Sequence, residues 1–416
     1  MRKLLFTTLF LVGTGLVWAQ SKKVDSLKQA LKTVRTDTGK INLWNHLGLQ
    51  DKGLKKRKAW LDQALALATK IKYKKGEAHA YLRLAYVYSD YTKYEKSIPY
   101  YLKALPLFKE LKDPKNIAQT YYNLALDKHY NSDYPAGLKY QQEAAKIYKK
   151  LNNKDRLFLC YFEMAVLYRL QGKYDESMAI AKKAIKTARL SKNERYESMV
   201  YNTMAITYVR QENKVKALEF YIKSLKLKEK TGYHSGAART ATNIAEIYLQ
   251  NKEYDKAKTY YDKYFEMGQK MPDSKRKKLV IADAYTRFGN YYFATKKYSK
   301  ALENLRKTLK ISTKSGFTSQ TLEAEGIMGR VYIEQKKYDE AFRLFDQVSS
   351  GFKKINAKNR ASTYLLLAGQ ALTESNELTK ASKYVNEGLT LAQEINDSRL
   401  RMDAYHKYYK LFKAKN

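Results

Sequence analysis

Cysteine is almost missing from this chain, Cys160 being the only one. A single thiol excludes an intramolecular disulfide, a CxxC redox pair and any CxxC zinc site. Its neighbours Leu157, Leu159, Tyr161 and Phe162 mark it as a small buried hydrophobe. Long apolar runs are also lacking. Past residue 20 nothing approaches the ~18 consecutive apolar residues of a membrane-spanning helix, so no transmembrane segment is expected there. No Pro/Gly/Ser linker and no low-complexity tract divides the sequence, which predicts one continuous domain. Histidines are few. His46, His79, His129, His234 and His406 keep no HxH, HxxxH or HExxH spacing, so no metal site is expected. His129 with Asp127 and Glu163 is the nearest thing to an acid–base grouping, and it reads instead as groove or surface residues. No GxxxxGK followed by Ser or Thr, no GxGxxG and no GxSxG is present to cradle a phosphate or present a nucleophile. The chain is expected to be no enzyme, with no catalytic, cofactor-binding or metal residue and no cofactor.

Acidic residues are outnumbered: 80 Lys and Arg against 41 Asp and Glu give a formal charge of +39. Such a charge favours anionic partners and makes weak binding salt-dependent. Lys nevertheless outnumbers Arg about three to one and is spread through the chain, the pattern of solvated faces. Residues 1–19 read as a signal peptide. Arg2 and Lys3 precede an apolar stretch, Leu4 to Val17, too short for a comfortable span, and Val17 and Ala19 fit the −3 and −1 cleavage positions. The mature protein is expected to be exported, periplasmic or extracellular in a bacterium. Export argues against nucleic acid as a partner, and an anionic envelope polymer is the better electrostatic candidate.

The dominant feature is periodicity. In Tyr161 to Arg189, Met164, Ala165 and Tyr168 share one helix face, Gly172 ends that helix, and Tyr174 opens a second with Ser177, Ala181 and Ala184 facing inward. The small residue at Ala165 returns at Ala85, Ala125, Ala205, Ala245, Gly289, Gly329 and Ala368. The Tyr three later returns as Tyr88, Tyr208, Tyr248, Tyr292 and Tyr332, and the opener as Tyr94, Tyr134, Tyr254, Tyr298 and Tyr338. A fixed period of about forty residues predicts an all-α solenoid of stacked helical hairpins. Residues 20–36 supply an N-terminal capping helix, with Val24, Leu27, Leu31 and Val34 on one face. Residues 37–416 hold about nine repeats and a final helix. Pro99 and Pro106 invite a kink in one second helix, and near Met271 to Lys275 the period stretches, which predicts a longer loop.

These residues resemble the tetratricopeptide repeat (TPR) family in its longer variant. Leu84, Ala85, Tyr88, Ser97, Tyr101 and Ala104 carry the resemblance in one repeat, and Ile244, Ala245, Tyr248, Ala257 and Tyr261 in another. It implies a right-handed superhelical solenoid whose first helices line a concave groove for a protein or peptide partner. Carried over to this chain, the groove positions are Tyr86, Tyr122, His129, Arg169, Asn202, Arg210, Glu246, Asn290 and Arg330. The family's grip on a C-terminal carboxylate is not implied, since Leu82, Tyr122, Phe162, Tyr86, Leu126 and Val166 stand where its Lys and Asn would be. The leading expectation is an exported scaffold that binds a partner in the cell envelope. The alternative is a truncated or stand-alone sensor region of a bacterial signal-transduction protein, because the opening helix and repeats also look like such sensor regions.

Overall fold

The computed structural model describes residues 22–395 and 397–415. The expected signal peptide lies outside them. Among the described residues there are twenty helices and no strand. They fall into two compact units, one ending at Asn213 and the other beginning at Lys214.

Unit 1 opens with α1 (22–33) and the short α2 (Asp37–Gln50), followed by α3 (Leu54–Lys70). A strict series follows: α4 (Lys74–Asp90), α5 (Tyr94–Glu110), α6 (Pro114–Tyr130), α7 (Tyr134–Lys150), α8 (Lys154–Leu170), α9 (Tyr174–Leu190) and α10 (Glu194–Arg210). Each of these is 17 residues long. A three-residue turn follows each, so two helices and two turns make the period read from the sequence. Side chains start several of them: Asp113, Asn153 and Asn193 accept from the backbone N–H three residues on, at 3.1, 3.0 and 3.2 Å.

Unit 2 continues with α11 (Lys214–Lys230), α12 (His234–Gln250), α13 (Tyr254–Gln269), α14 (Lys275–Ala294), α15 (Tyr298–Ser315), α16 (Thr318–Glu334), α17 (Tyr338–Lys354), α18 (Lys358–Glu374), α19 (Leu378–Glu394) and α20 (Ser398–Lys415). The stretched period is shared between loop and helix. The linker after α13 has five residues, and α14 grows to 20.

The repeated tyrosines mark the turns. Tyr94, Tyr134, Tyr174, Tyr254, Tyr298 and Tyr338 are each the first residue of a second helix. The carbonyls of Tyr88, Tyr168, Tyr208, Tyr248, Tyr292 and Tyr332 each accept from the N–H five residues on, at 2.8–2.9 Å. That is the closing bond of a left-handed helix cap. Gly172 takes the left-handed conformation at φ 74°, as its position predicts. Equivalent turns use side-chain-bearing residues instead: Thr92, Ser132, Glu212, Lys252, Lys296, Lys336 and Asn376 all have φ between 56° and 65°.

The small-residue face packs as expected, with Ala85, Ala125, Ala165, Ala205 and Ala245 all buried. The bare backbone at Gly329 admits the ring of Phe345, which a Cβ would meet at 2.6 Å. In the last repeat the register belongs to Gly369 and not to Ala368: a Cβ on Gly369 would meet Val385 at 2.5 Å, again sixteen residues on. Ala368 is buried beside it. Helix α5 runs through both of its prolines. Pro99 and Pro106 lie on its exposed side, so the Glu95 and Leu102 carbonyls that lose a donor face solvent.

Candidate functional site

In unit 1 the first helices α4, α6 and α8 bring polar side chains to a cavity of about 630 Å3. Tyr86 enters it from α4, Gln119 and Asn123 from α6, and Arg156 from the start of α8. Burial pushes the Tyr86 phenol well above its ordinary range. Two carboxylates reach the same space. Asp90 is paired with Arg57 at 2.8 Å. Asp127 is 2% exposed and accepts from Ser89 at 2.7 Å and from Ser97 on α5. Burial raises the Asp127 pKa in spite of those two donors. Its equivalents are Val87, Leu167, Thr207 and Ile247, all buried, so a carboxylate here stands where three of those four place a core hydrophobe.

In unit 2 a second cavity, about 290 Å3, collects Glu246, Asn290 and Arg330 together with Asp283, Arg287 and Tyr364. Arg287 bridges Glu246 at 2.6 Å and Asp283 at 2.8 Å. Tyr261 donates to Glu246 at 3.0 Å, and Tyr264 to Asp283 at 2.6 Å. Burial would lower the Arg287 pKa, and the two carboxylates more than reverse that. Arg330 lies over the Phe293 ring, 4.7 Å from its centroid.

Of the sequence-derived positions, Tyr86 lines the first cavity, and Glu246, Asn290 and Arg330 share the second. Tyr122 is half-buried beneath the Arg156 guanidinium, 5.9 Å from it. His129 stacks on Tyr130 at 5.1 Å and pairs with Glu163 of α8. Asp127, grouped with that pair in the sequence, bonds the two serines instead. Arg169 and Asn202 are half-buried and Arg210 is exposed, and none of the three lines either cavity. Sequence reasoning missed Gln119, Arg156, Asp283, Arg287 and Tyr364. Gln119 and Asp283 occupy the second groove position, and Asn123 and Arg287 the sixth, a place the family pattern leaves out. The Asp283–Arg287 spacing of four was the available signal.

Among the described residues no group of three or more His, Cys, Asp or Glu is placed to hold a metal ion. Among them, too, no helix is long and apolar enough to cross a membrane.

Stacked two-helix units with polar clefts between first helices define a helical-repeat binding scaffold. The chain belongs to the tetratricopeptide repeat family, whose models match residues 116–189, 196–270 and 318–394, and also 78–108 and 282–315. Among the solved structures that share the fold are the following three. A signal transduction ATPase with numerous domains and a tetratricopeptide repeat sensor, from Pyrococcus horikoshii, is 15% identical with a TM-score of 0.57, covering 93% of this chain and 64% of its own. The apo form of RapI is 14% identical with a TM-score of 0.55, covering 82% and 99%. The apo quorum sensor NprR from B. thuringiensis is 16% identical with a TM-score of 0.54, covering 81% and 95%. No curated protein matches the sequence.

Proposed function

We propose that this protein is an exported, non-catalytic TPR scaffold that holds a protein or peptide partner in the bacterial cell envelope, in the groove lined by its first helices. One observation carries the groove reading: Tyr86, Asn123 and Arg156, from three successive first helices, face one cavity. Successive repeats that contribute to one cleft suit an extended peptide or a partner helix, and Tyr and Arg are the side chains that dominate binding energy. Export rests on the charged start, short apolar stretch and cleavage positions of residues 1–19.

A photo-crosslinking residue at position 86, with one at Leu102 on the exposed side of α5 as control, tests the groove. The expected result is a partner adduct from position 86 alone; equal adducts from both overturn the groove. Export predicts an envelope species about 2 kDa below the 48.5 kDa precursor. A full-length cytoplasmic species overturns it. An anionic envelope polymer as partner would show binding that collapses between about 50 and 200 mM salt whichever groove residue is changed.

A sensor region of a signal-transduction protein is the second reading. Two proteins of this fold are named as sensors, NprR and the repeat region of the Pyrococcus protein. A membrane-held species larger than the precursor would favour it.

A further inference from the structure

We propose that the unit 1 cavity reads an Asp or Glu side chain within an extended segment of the partner, a specificity that rests on the groove reading above. Hydrogen-bond direction decides the chemistry. The Tyr148 O–H donates to Gln119 Oε1 at 3.4 Å, and Gln119 Nε2 donates to Asn123 Oδ1 at 3.2 Å. Each amide oxygen thus already accepts from a neighbour. Asn123 and Tyr86, which both line the cavity, bring amide N–H and phenol O–H donors to it. A ligand acceptor placed there would engage those donors.

The charges point the same way. Arg156, half-buried, and Lys115, exposed, both line the cavity. Neither has a carboxylate partner among the described residues; the Arg156 guanidinium lies over the Tyr122 ring. The carboxylates that reach this space are already engaged, Asp90 by Arg57 and Asp127 by Ser89 and Ser97. The cavity therefore carries three cations, Arg57, Lys115 and Arg156, against two carboxylates, Asp90 and Asp127, a net positive charge beside those donors. A carboxylate satisfies both, through charge-assisted hydrogen bonds.

The unit 2 cavity has the opposite balance, three carboxylates, Glu246, Asp283 and Glu323, against two arginines, Arg287 and Arg330. Arg287 holds the register place of Asn123 and is bound by Glu246 and Asp283. Arg360 is paired with Glu323 at 3.4 Å. Acidic selectivity accordingly belongs to unit 1.

The test uses the full chain and a library of randomised decapeptides, acetylated at the N-terminus and amidated at the C-terminus. The bound pool is expected to be enriched in Asp or Glu at one or more positions. In a selected peptide, Glu→Gln should weaken binding about tenfold, the worth of a charge-assisted hydrogen bond. Arg156→Gln should bring the Glu peptide down to the level of its Gln analogue. Tyr86→Phe, which removes only the hydroxyl, should weaken the Glu peptide about fivefold. Lys115→Gln, at an exposed position, should weaken it measurably, and Arg306→Gln, exposed on the second helix α15 of unit 2, should leave it unchanged. Equal weakening by Arg306→Gln and Arg156→Gln overturns the proposal in favour of diffuse charge. Binding that requires a free peptide C-terminus overturns it in favour of a terminal carboxylate. Peptides bound without acidic preference overturn it and leave the groove reading standing. If no peptide binds and position 86 gives no adduct, the groove reading falls as well.

Discussion

At the scale of single residues, Gln141 on α7 occupies the place that Tyr101 and Tyr261 hold on α5 and α13. It is fully buried, and neither atom of its amide finds a hydrogen-bond partner. Replacing a buried, unsatisfied polar group with an apolar one of similar shape removes a desolvation cost. Gln141→Leu should therefore raise stability by about 1–2 kcal/mol, read as a higher urea midpoint at unchanged slope. Two titrating groups act in opposite directions with pH. Burial, and after it the charge of Arg83, lowers the His79 pKa from 6.5 to about 4. The fold thus prefers neutral His79, and its contribution, present above pH 6.5, is lost as pH falls toward about 4. His79→Gln should lose less stability than wild type over that window, measured by urea titration at each pH. Asp127 has a raised pKa, so its protonated form is favoured in the fold. Its contribution is present at low pH and lost as pH rises through the folded pKa. Asp127→Asn should then gain relative to wild type as pH rises toward neutral, in the same titrations.

At the scale of elements, the turns carry a cost that the sequence pattern hid. A left-handed backbone suits Gly and strains residues with a Cβ. Yet Lys252 and Lys336 hold φ values of 62° and 59° at exposed turn positions. Lys252→Gly and Lys336→Gly should each stabilise by about 0.5–1 kcal/mol, and Gly172→Ala should cost a similar amount, all in thermal or urea melts. The contact between the two helices of a hairpin is less forgiving. Gly369→Val would drive a branched side chain into Val385 and the Ala381 carbonyl, 3.3 Å from a Cβ there. A loss of about 2–3 kcal/mol is expected, as for other overpacked cores.

At the scale of the whole molecule, charge outweighs any single contact. Most of the ion pairs are exposed Lys–carboxylate pairs, such as Lys74–Glu110 and Lys358–Glu394, and such pairs contribute little. A net +39 remains, and like charges repel in the compact state. Raising monovalent salt from about 20 to about 300 mM should raise the melting temperature by a few degrees, because screening relieves that repulsion. Were surface pairs dominant, the same titration would lower it.

The sequence by itself determined the helix-turn-helix units, the places where helices start and stop, and the face each helix buries. It could do so because every repeat meets only its neighbours, so short-range spacing repeats what local packing needs. It misplaced one register residue, Ala368 for Gly369, where two small residues stand side by side and only the approach of Val385 tells them apart. The candidate site was less legible. Tyr86, Glu246, Asn290 and Arg330 could be read from groove spacing alone. The relay from Tyr148 through Gln119 to Asn123, the bridge from Glu246 to Arg287 across 41 positions, and the capture of Asp127 by Ser89 and Ser97 were settled only by tertiary structure. Each depends on which polar atoms of different helices come within hydrogen-bonding reach, and periodicity fixes the face of a side chain but not its partner.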